Sequence, residues 1–216
     1  MTKVLDTKKA GDYIGIRGPY GKGFSWKPRQ RIAMLAGGYG AAPLYFAAFE
    51  AVKQGCKVDF FLGARSKENL LYQSRFAKLS RISRGKLVLH ISTDDGSIGF
   101  KGFNIQLFQK ILEAKSREER GRKPYDTVMT CGPEIMMKKV SDFCVARRIS
   151  AQIDIERYMK CGFGICGNCC VDDLGIPVCV EGTILDNATA QKVAGTTLIN
   201  SIIIAVFAIF MTADLR

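Results

Sequence analysis

Short apolar runs and helical patterns alternate along most of the chain. Five runs of four to six residues are predicted strands, at residues 32–36, 57–62, 87–91, 127–130 and 150–155. Four longer segments place apolar residues on one face of a helix, at residues 41–53, 70–79, 104–114 and 134–147. This alternation is typical of a parallel sheet covered by helices. The fold class is therefore predicted to be α/β, built around a parallel-sheet nucleotide-binding domain.

The two ends of the chain depart from this alternation. Residues 1–25 are rich in glycine, and residues 13–16 are predicted to form a short strand that runs into a Gly18-Pro19 turn. Residues 193–213 contain no charged side chain. A membrane-spanning helix needs about 20 mostly apolar residues, so the length is just adequate. We favour packing of this tail against the chain or a partner, with membrane contact as the alternative.

Composition and charge narrow the function. The chain has 216 residues, 47% of them hydrophobic, which is enough for one large domain and a small one. Its net charge of +12 lies in residues 1–160, because residues 161–216 hold two basic and five acidic side chains. Such a basic body attracts nucleotide phosphates or an acidic partner. We expect no nucleic acid, since no nucleic-acid-binding motif is present, and a cytoplasmic location, since the N-terminus has no signal region.

Four cysteines near the C-terminal end carry the most specific chemistry. Cys161, Cys166, Cys169 and Cys179 have the spacing C-x4-C-x2-C followed by a fourth cysteine, which is the plant-type spacing for a 2Fe–2S cluster. The intervening glycines suit a loop whose backbone N–H groups reach the sulfurs. Zinc remains the alternative metal, although structural zinc sites usually use two short C-x2-4-C pairs. Cys170 is interpreted as a bystander.

Glycine-rich turns predict a nucleotide site. Gly38, Gly40 and Pro43 follow a predicted strand and open a predicted helix, so the backbone can approach a pyrophosphate there. Two more turns, at residues 92–97 and 130–133, also follow strands. Because ligands bind at the carboxyl ends of strands in open α/β sheets, all three turns are expected to line one crevice. Each could also be a plain strand-to-helix turn.

The remaining cysteines and the one histidine do not suggest a nucleophilic enzyme. His90 lies in the middle of an apolar strand and is expected to be a satisfied core residue, so a pair of Cys131 with histidine is not expected. Cys56 and Cys144 lie in apolar contexts and are expected in the core.

Taken in order, these motifs resemble the electron-transfer subunits of NAD-dependent dihydroorotate dehydrogenases, in the ferredoxin-reductase superfamily. The resemblance covers residues 7–185 and rests on the following series: residues 18–24, 38–43, 92–97, Lys101-Gly102, Cys131-Gly132-Pro133 with Met136-Met137, and Glu156-Arg157 before the cysteine loop. It implies an oxidoreductase with NAD(H), FAD and a 2Fe–2S cluster. It also implies a hetero-oligomer with an FMN-containing catalytic subunit that oxidises dihydroorotate to orotate in pyrimidine biosynthesis.

The resemblance also implies roles for individual residues. Cys161, Cys166, Cys169 and Cys179 would bind the cluster. Cys131, as the catalytic residue, would lie with Gly132 and Pro133 near the nicotinamide and flavin rings. The other cofactor-binding residues implied are Gly18, Gly21, Gly23, Phe24, Gly38, Gly40, Pro43, Ser92, Thr93 and Asp94. The implied electron path runs from the FMN of the partner through the cluster and FAD to NAD.

The chain departs from the family pattern at both ends. Family members begin with a β-barrel that binds FAD through an Arg-x-Tyr-Ser-type motif, which this sequence lacks, so FAD binding stays open. The domain prediction is a barrel remnant at 1–25, an NAD(P)-binding domain at 26–155, a 2Fe–2S module at 156–186 and an apolar tail at 187–216. Alternatives are a related subunit of a hydrogenase, sulfite reductase or ferredoxin:NADP reductase, and a non-catalytic cluster-binding adaptor.

Overall fold

The computed structural model describes residues 2–118, 123–171 and 175–193. Its strands are β1 Arg31–Gly37, β2 Lys57–Ala64, β3 Leu87–Thr93, β4 Phe100–Lys101, β5 Thr127–Cys131, β6 Ala151–Asp154, β7 Cys170–Val171, β8 Ile176–Pro177 and β9 Ile184–Asp186. Its helices are α1 Thr2–Asp6, α2 Ala41–Lys53, α3 Gln73–Ile82, α4 Asn104–Glu118, α5 Glu134–Ala146 and α6 Val178–Glu181. Residues 187–193 are also helical.

The main sheet of the described chain is parallel, with one antiparallel edge strand. Its order is β4-β3-β2-β1-β5-β6-β9, and only β9 runs against its neighbour. The chain builds outward from β1 through β2, β3 and β4, then returns to the other side of β1 with β5 and β6. This reversal leaves a crevice at the carboxyl ends of β1 and β5, which is where open α/β sheets bind ligands.

Helices cover both faces of the sheet, so its central strand is apolar on both sides. Ile32, Met34 and Ala36 of β1 pack in one core with α2 and α3. Ala33 and Leu35 pack in a second core with α4 and α5 on the opposite face. Successive side chains of a strand point to opposite faces, which explains the unbroken apolar run. The α/β prediction is confirmed.

The predicted helices and strands of this domain are all present, with shifted bounds. The α4 helix ends four residues later than predicted, and α3 begins three residues later, at Gln73, because Tyr72 adopts a left-handed conformation with φ of +60°. Cys56 and Cys144 are fully buried, as expected for core residues.

The strand predicted at residues 13–16 is wrong. This segment forms neither helix nor strand, and Tyr13 and Ile16 are 96% and 87% exposed. Its aromatic and β-branched residues favour a strand, but a strand also needs a hydrogen-bonded neighbour. The strands β4 and β9 were missed because each has only two or three residues.

The predicted apolar tail lies mostly outside the described residues, which end at Val193. Among the helices that the structure describes, none has the length and apolar character needed to cross a membrane.

A buried carboxylate, Asp59, is hydrogen-bonded on the face of the sheet that α4 covers. Asp59 of β2 accepts hydrogen bonds from His90 Nε2, at 2.8 Å, and from Lys115 Nζ of α4. The His90 ring stacks on Phe61, with centroids 4.8 Å apart. Burial raises the pKa of Asp59, but the two hydrogen bonds outweigh it and hold the pKa below its usual value. The prediction that His90 is hydrogen-bonded within the fold is confirmed, but the prediction that it is a core residue is wrong, because its side chain is 20% exposed.

We expect Asp59→Asn to lower the free energy of unfolding by about 2 kcal/mol at pH 7, because the amide leaves Lys115 and His90 poorly paired. A carboxylate with a lowered folded pKa stabilises the fold fully above its unfolded pKa of about 3.9 and loses this effect as the pH falls through the folded value. The difference between the two proteins should therefore shrink below about pH 4. Urea unfolding at several pH values measures it.

The matched control is Asp142→Asn, which removes an exposed carboxylate paired with Lys138. Exposed pairs of this kind contribute less than about 1 kcal/mol. Equal losses in the two variants would contradict the stabilising role of Asp59.

Candidate functional site

The turns that follow β1 and β5 touch each other backbone to backbone. A Cβ at Gly40 would lie 2.1 Å from the carbonyl oxygen of Cys131, closer than any real contact. A Cβ at Gly132, where φ is +149°, would lie 2.8 Å from the carbonyl oxygen of Gly37. Glycine is therefore required at Gly40 and Gly132 so that the two turns can form one wall of the crevice.

Gly38 is the glycine that faces open space. Its φ is +53°, and no atom lies within 4 Å of the position that a Cβ would take. A short 3-10 helix, Gly38–Gly40, runs directly into α2, and the N–H of Ala41 donates to the carbonyl oxygens of Gly38 and Tyr39. No side chain caps the start of α2, and the positive end of its dipole favours an anion such as a pyrophosphate beside the open face of Gly38.

Asn104, which no sequence motif marked as a site residue, closes the crevice on the other side. Asn104 begins α4 and is 4% exposed, and its Nδ2 donates to the carbonyl oxygen of Ala36 at 3.1 Å. Its side chain covers Gly63, since a Cβ there would lie 3.0 Å from Asn104 Cβ. An asparagine at a helix start is usually interpreted as a cap, so the sequence offered no signal for this contact across the sheet.

The predicted polar residues at the end of β3 and just after it form hydrogen bonds that stabilise the loop that follows. Thr93 is fully buried, and its hydroxyl donates to Ile98 O at 2.8 Å and accepts from Ile98 N. Ser92 is 1% exposed, and Asp94 N donates to Ala64 O at 3.1 Å. The backbone of Asp94 therefore ties this loop to the end of β2, beside the crevice, while its side chain is exposed.

Four titratable groups gather at the ends of β5 and β6. Thr130 pairs with Ile153, so Cys131 and Asp154 are neighbours on adjacent strands, and both are buried. Burial, followed by the charge and hydrogen bond of Asp154, raises the pKa of the Cys131 thiol far above its ordinary value. Partial burial raises the pKa of Tyr39, and the negative charge of Glu156 raises it further. Cys131 therefore keeps its proton, which does not suit a nucleophile.

The four cysteines of the predicted cluster site interact with one another, mainly as Cys161 with Cys166 and Cys169 with Cys179, and Cys161 also acts on Cys179. The sulfur of Cys161 accepts hydrogen bonds from the backbone N–H groups of Cys166 and Phe163 and interacts with the Cys166 thiol. Cys169 Sγ accepts from Cys179 N at 3.3 Å, and the two thiols also interact. In a 2Fe–2S cluster four thiolates serve two irons, so the two pairs fit this arrangement. Among the described residues, no three His, Cys, Asp or Glu side chains gather as ligands of one metal ion.

The loop around these thiols also has the chemistry that bound thiolates require. Its backbone N–H groups lower the pKa of Cys161 to about 6, because they stabilise the thiolate. Burial, followed by the Cys169 thiol, raises the pKa of Cys179. Gly162 and Gly164 both have φ above +80°, which lets the loop turn its N–H groups inward. Cys170 belongs to β7, where it pairs with Pro177.

The segment predicted to contact a flavin lies against this cysteine loop. Lys22 N donates to Gly182 O, and a Cβ at Gly21 would overlap the same carbonyl. Arg17 donates to the carbonyl oxygen of Lys160, just before Cys161. Ser25 exchanges two backbone hydrogen bonds with the side chain of Gln152 in β6. The chain then leaves β6 at Asp154 and reaches Cys161 seven residues later, so the crevice and the cysteine loop adjoin.

Two family models match the chain, each over one of these regions. Residues 34–142 match the oxidoreductase NAD-binding domain. Residues 156–187 match the iron-sulfur cluster binding domain of dihydroorotate dehydrogenase B.

Two relatives and one solved structure are similar over most of the chain. The probable dihydroorotate dehydrogenase B (NAD+), electron transfer subunit, of Methanocaldococcus jannaschii is 48% identical over 184 residues, which are 85% of this chain and 65% of the relative. The protein of the same description from Methanocella arvoryzae is 35% identical over 88% of this chain and 68% of its own. An NADH-dependent reduced ferredoxin–NADP oxidoreductase structure has a TM-score of 0.66 at 28% identity, covering 87% of this chain and 63% of that one. The chain thus spans 65% of the length of the first of these relatives.

We expect Gly40→Ala and Gly38→Ala to differ sharply in stability. At Gly40 the new methyl group would collide with the Cys131 carbonyl, so we expect a loss of about 2–3 kcal/mol. At Gly38 the methyl group would meet open space, and the left-handed backbone alone costs about 1 kcal/mol. Urea unfolding of the two variants measures the difference, and equal losses would contradict the contact between the turns.

Proposed function

Because this chain belongs to the family of dihydroorotate dehydrogenase B (NAD+) electron-transfer subunits, we propose that it relays electrons between NAD and a separate catalytic subunit. That partner would carry FMN and oxidise dihydroorotate to orotate in pyrimidine biosynthesis. The observation that carries the proposal is the adjacency of two sites, since the nucleotide crevice and the paired cysteines lie at the two ends of one short connection after β6.

The crevice would hold the dinucleotide along the carboxyl ends of β1 and β5. The open face of Gly38 would contact the pyrophosphate, and the positive end of the α2 dipole would attract it. Gly40 and Pro43 would shape this turn. Cys131, Gly132 and Pro133 would lie along the nicotinamide ring, where a protonated and buried thiol offers a neutral, polarisable contact. Ser92, Thr93 and Asp94 would contact the cofactor from the neighbouring loop, which the Thr93 hydroxyl and the Asp94 backbone stabilise.

The cysteine loop would hold a 2Fe–2S cluster, with Cys161 and Cys166 on one iron and Cys169 and Cys179 on the other. The N–H groups around Cys161 would stabilise the bound thiolates and the added electron. Cys166 is exposed, so this side of the cluster would be the one that approaches the partner subunit. A cytoplasmic location belongs to the proposal, since thiols stay reduced there and available for iron.

A nicotinamide exchanges two electrons as a hydride, whereas a cluster exchanges one electron at a time. A bound FAD would supply the conversion between the two. In this chain, Gly18, Gly21, Gly23 and Phe24 are the residues proposed to contact it, on the segment that joins the cysteine loop to β6. We propose the corresponding division of the chain at residues 1–25, 26–155, 156–186 and 187–216.

We expect Cys166→Ser to abolish or severely reduce cluster binding, because one of the four thiolate ligands is lost. The matched control is Cys170→Ser, which removes a neighbouring thiol that the proposal does not use. Iron and sulfide analysis and the visible spectrum of the anaerobically purified full chain measure the result. Zinc in place of iron, or equal iron loss in both variants, would contradict the ligand assignment.

The same two variants test the activity in the complex with the catalytic subunit. The parent and Cys170→Ser complexes should couple dihydroorotate oxidation to NAD+ reduction, and the Cys166→Ser complex should not. A complex that reduces NAD+ with hydrogen or sulfide but not with dihydroorotate would point to a related oxidoreductase instead. A complex that binds iron but no nicotinamide would point to an adaptor.

We expect Gly38→Asp to weaken NADH binding about tenfold more than Gly38→Asn, because only the carboxylate repels the pyrophosphate. Both residues tolerate a left-handed backbone and have nearly the same size, so the pair isolates the charge. Fluorescence titration of the reconstituted protein with NADH gives the two dissociation constants. Equal affinities for the two variants would exclude the Gly38 turn as the phosphate site.

A further inference from the structure

The Tyr20 ring fills the space that a side chain at Gly162, in the cysteine loop, would need. A Cβ at Gly162 would lie 2.3 Å from Tyr20 Cε1, 2.6 Å from its Cζ and 2.9 Å from its hydroxyl oxygen. The phenol edge therefore lies directly on the backbone that follows Cys161. Because Gly162 has no side chain, the ring and its hydroxyl can approach the loop from the side of residues 18–24.

The ring is held in this position from several directions. The Arg17 guanidinium lies 5.7 Å from the centre of the Tyr20 ring and donates to the carbonyl oxygen of Lys160. Lys22, two residues after Tyr20, donates its backbone N–H to the carbonyl oxygen of Gly182, which directly follows α6 and lies three residues after Cys179. Residues 17–22 therefore contact the cysteine loop on both sides of Tyr20, and these contacts restrict the movement of the phenol away from Gly162.

The Tyr20 hydroxyl is buried but has no hydrogen-bond partner in the part of the chain that the structure describes. A phenol is both donor and acceptor, and leaving it buried and unpaired destabilises a fold. Gly162, which the phenol contacts, directly follows Cys161, the first proposed iron ligand. A group that accepts a hydrogen bond is therefore expected next to Cys161, and the sulfurs of a bound cluster are such acceptors.

We propose that the Tyr20 hydroxyl donates a hydrogen bond to a sulfur of the cluster at Cys161 and raises its reduction potential. The inference rests on the proposed cluster. A donor to a cluster sulfur stabilises the reduced form more than the oxidised form, because reduction adds negative charge that the sulfurs share. Removing the donor therefore lowers the potential. Tyr20 then adjusts electron transfer without being an iron ligand.

The decisive variant is Tyr20→Phe, because phenylalanine keeps the ring on Gly162 and removes only the hydroxyl. The control is Tyr158→Phe, which removes a hydroxyl from a tyrosine that is 72% exposed and lies three residues before Cys161. Both variants are made in the full chain, purified anaerobically and analysed for iron and sulfide. The midpoint potential of the cluster is then measured by a redox titration that EPR follows.

We expect Tyr20→Phe to bind iron and sulfide like the parent and to be reduced less readily. A tenfold change in the reduction equilibrium corresponds to about 59 mV for one electron, and we expect a downward shift of up to this size. Tyr158→Phe should keep the parent potential. In the parent after exchange into deuterated water, pulsed EPR should detect an exchangeable hydrogen near the cluster that is missing in Tyr20→Phe.

An unchanged potential in Tyr20→Phe, or an equal shift in Tyr158→Phe, overturns the inference and leaves the cluster assignment intact. Loss of iron in Tyr20→Phe also contradicts it, because the proposed bond adjusts the potential and does not hold the metal. A parent protein without iron and sulfide refutes the proposed function itself, so the two failures are distinguishable.

Discussion

The turn after β1 and the turn after β5 touch through their backbones, and the position of the other proposed groups depends on this contact. It leaves no room for a Cβ at Gly40 or Gly132. Since β1 and β5 flank the point where the strand order reverses, the contact also defines the floor of the crevice. The open face of Gly38 lies beside this contact, and the Cys131 side chain packs in the same core as α2.

β6 connects this crevice to the cysteine loop. On one face of β6, Asp154 contacts Cys131 and Gln152 holds the segment that continues to Arg17 and Tyr20. A short strand hydrogen-bonded on both edges is a rigid support. Two redox sites that are attached to one rigid strand keep a constant separation, which electron transfer between them requires.

Much of the site followed from local sequence. The spacing of the four cysteines predicted an iron-sulfur site in this part of the chain, and the glycines after β1 predicted a turn before a helix. Contacts between distant segments did not follow in the same way. Asn104 reaches Ala36, Asp154 reaches Cys131, and Tyr20 reaches Gly162 across 68, 23 and 142 positions of the chain. No periodicity or motif encodes such pairs, and the strand predicted at residues 13–16 failed for the same reason, because pairing is not local.

The sequence by itself determined the α/β class, the order of its elements and the residue types that can bind iron and a pyrophosphate. These depend on periodicity, on conformational preferences and on ligand chemistry, all of which act within a few residues. Only the tertiary structure decided which glycines face the crevice and which face a carbonyl, and which side chains surround Cys131 and Cys161. Those outcomes depend on how strands and loops far apart in the chain pack together, and packing is a property of the whole fold.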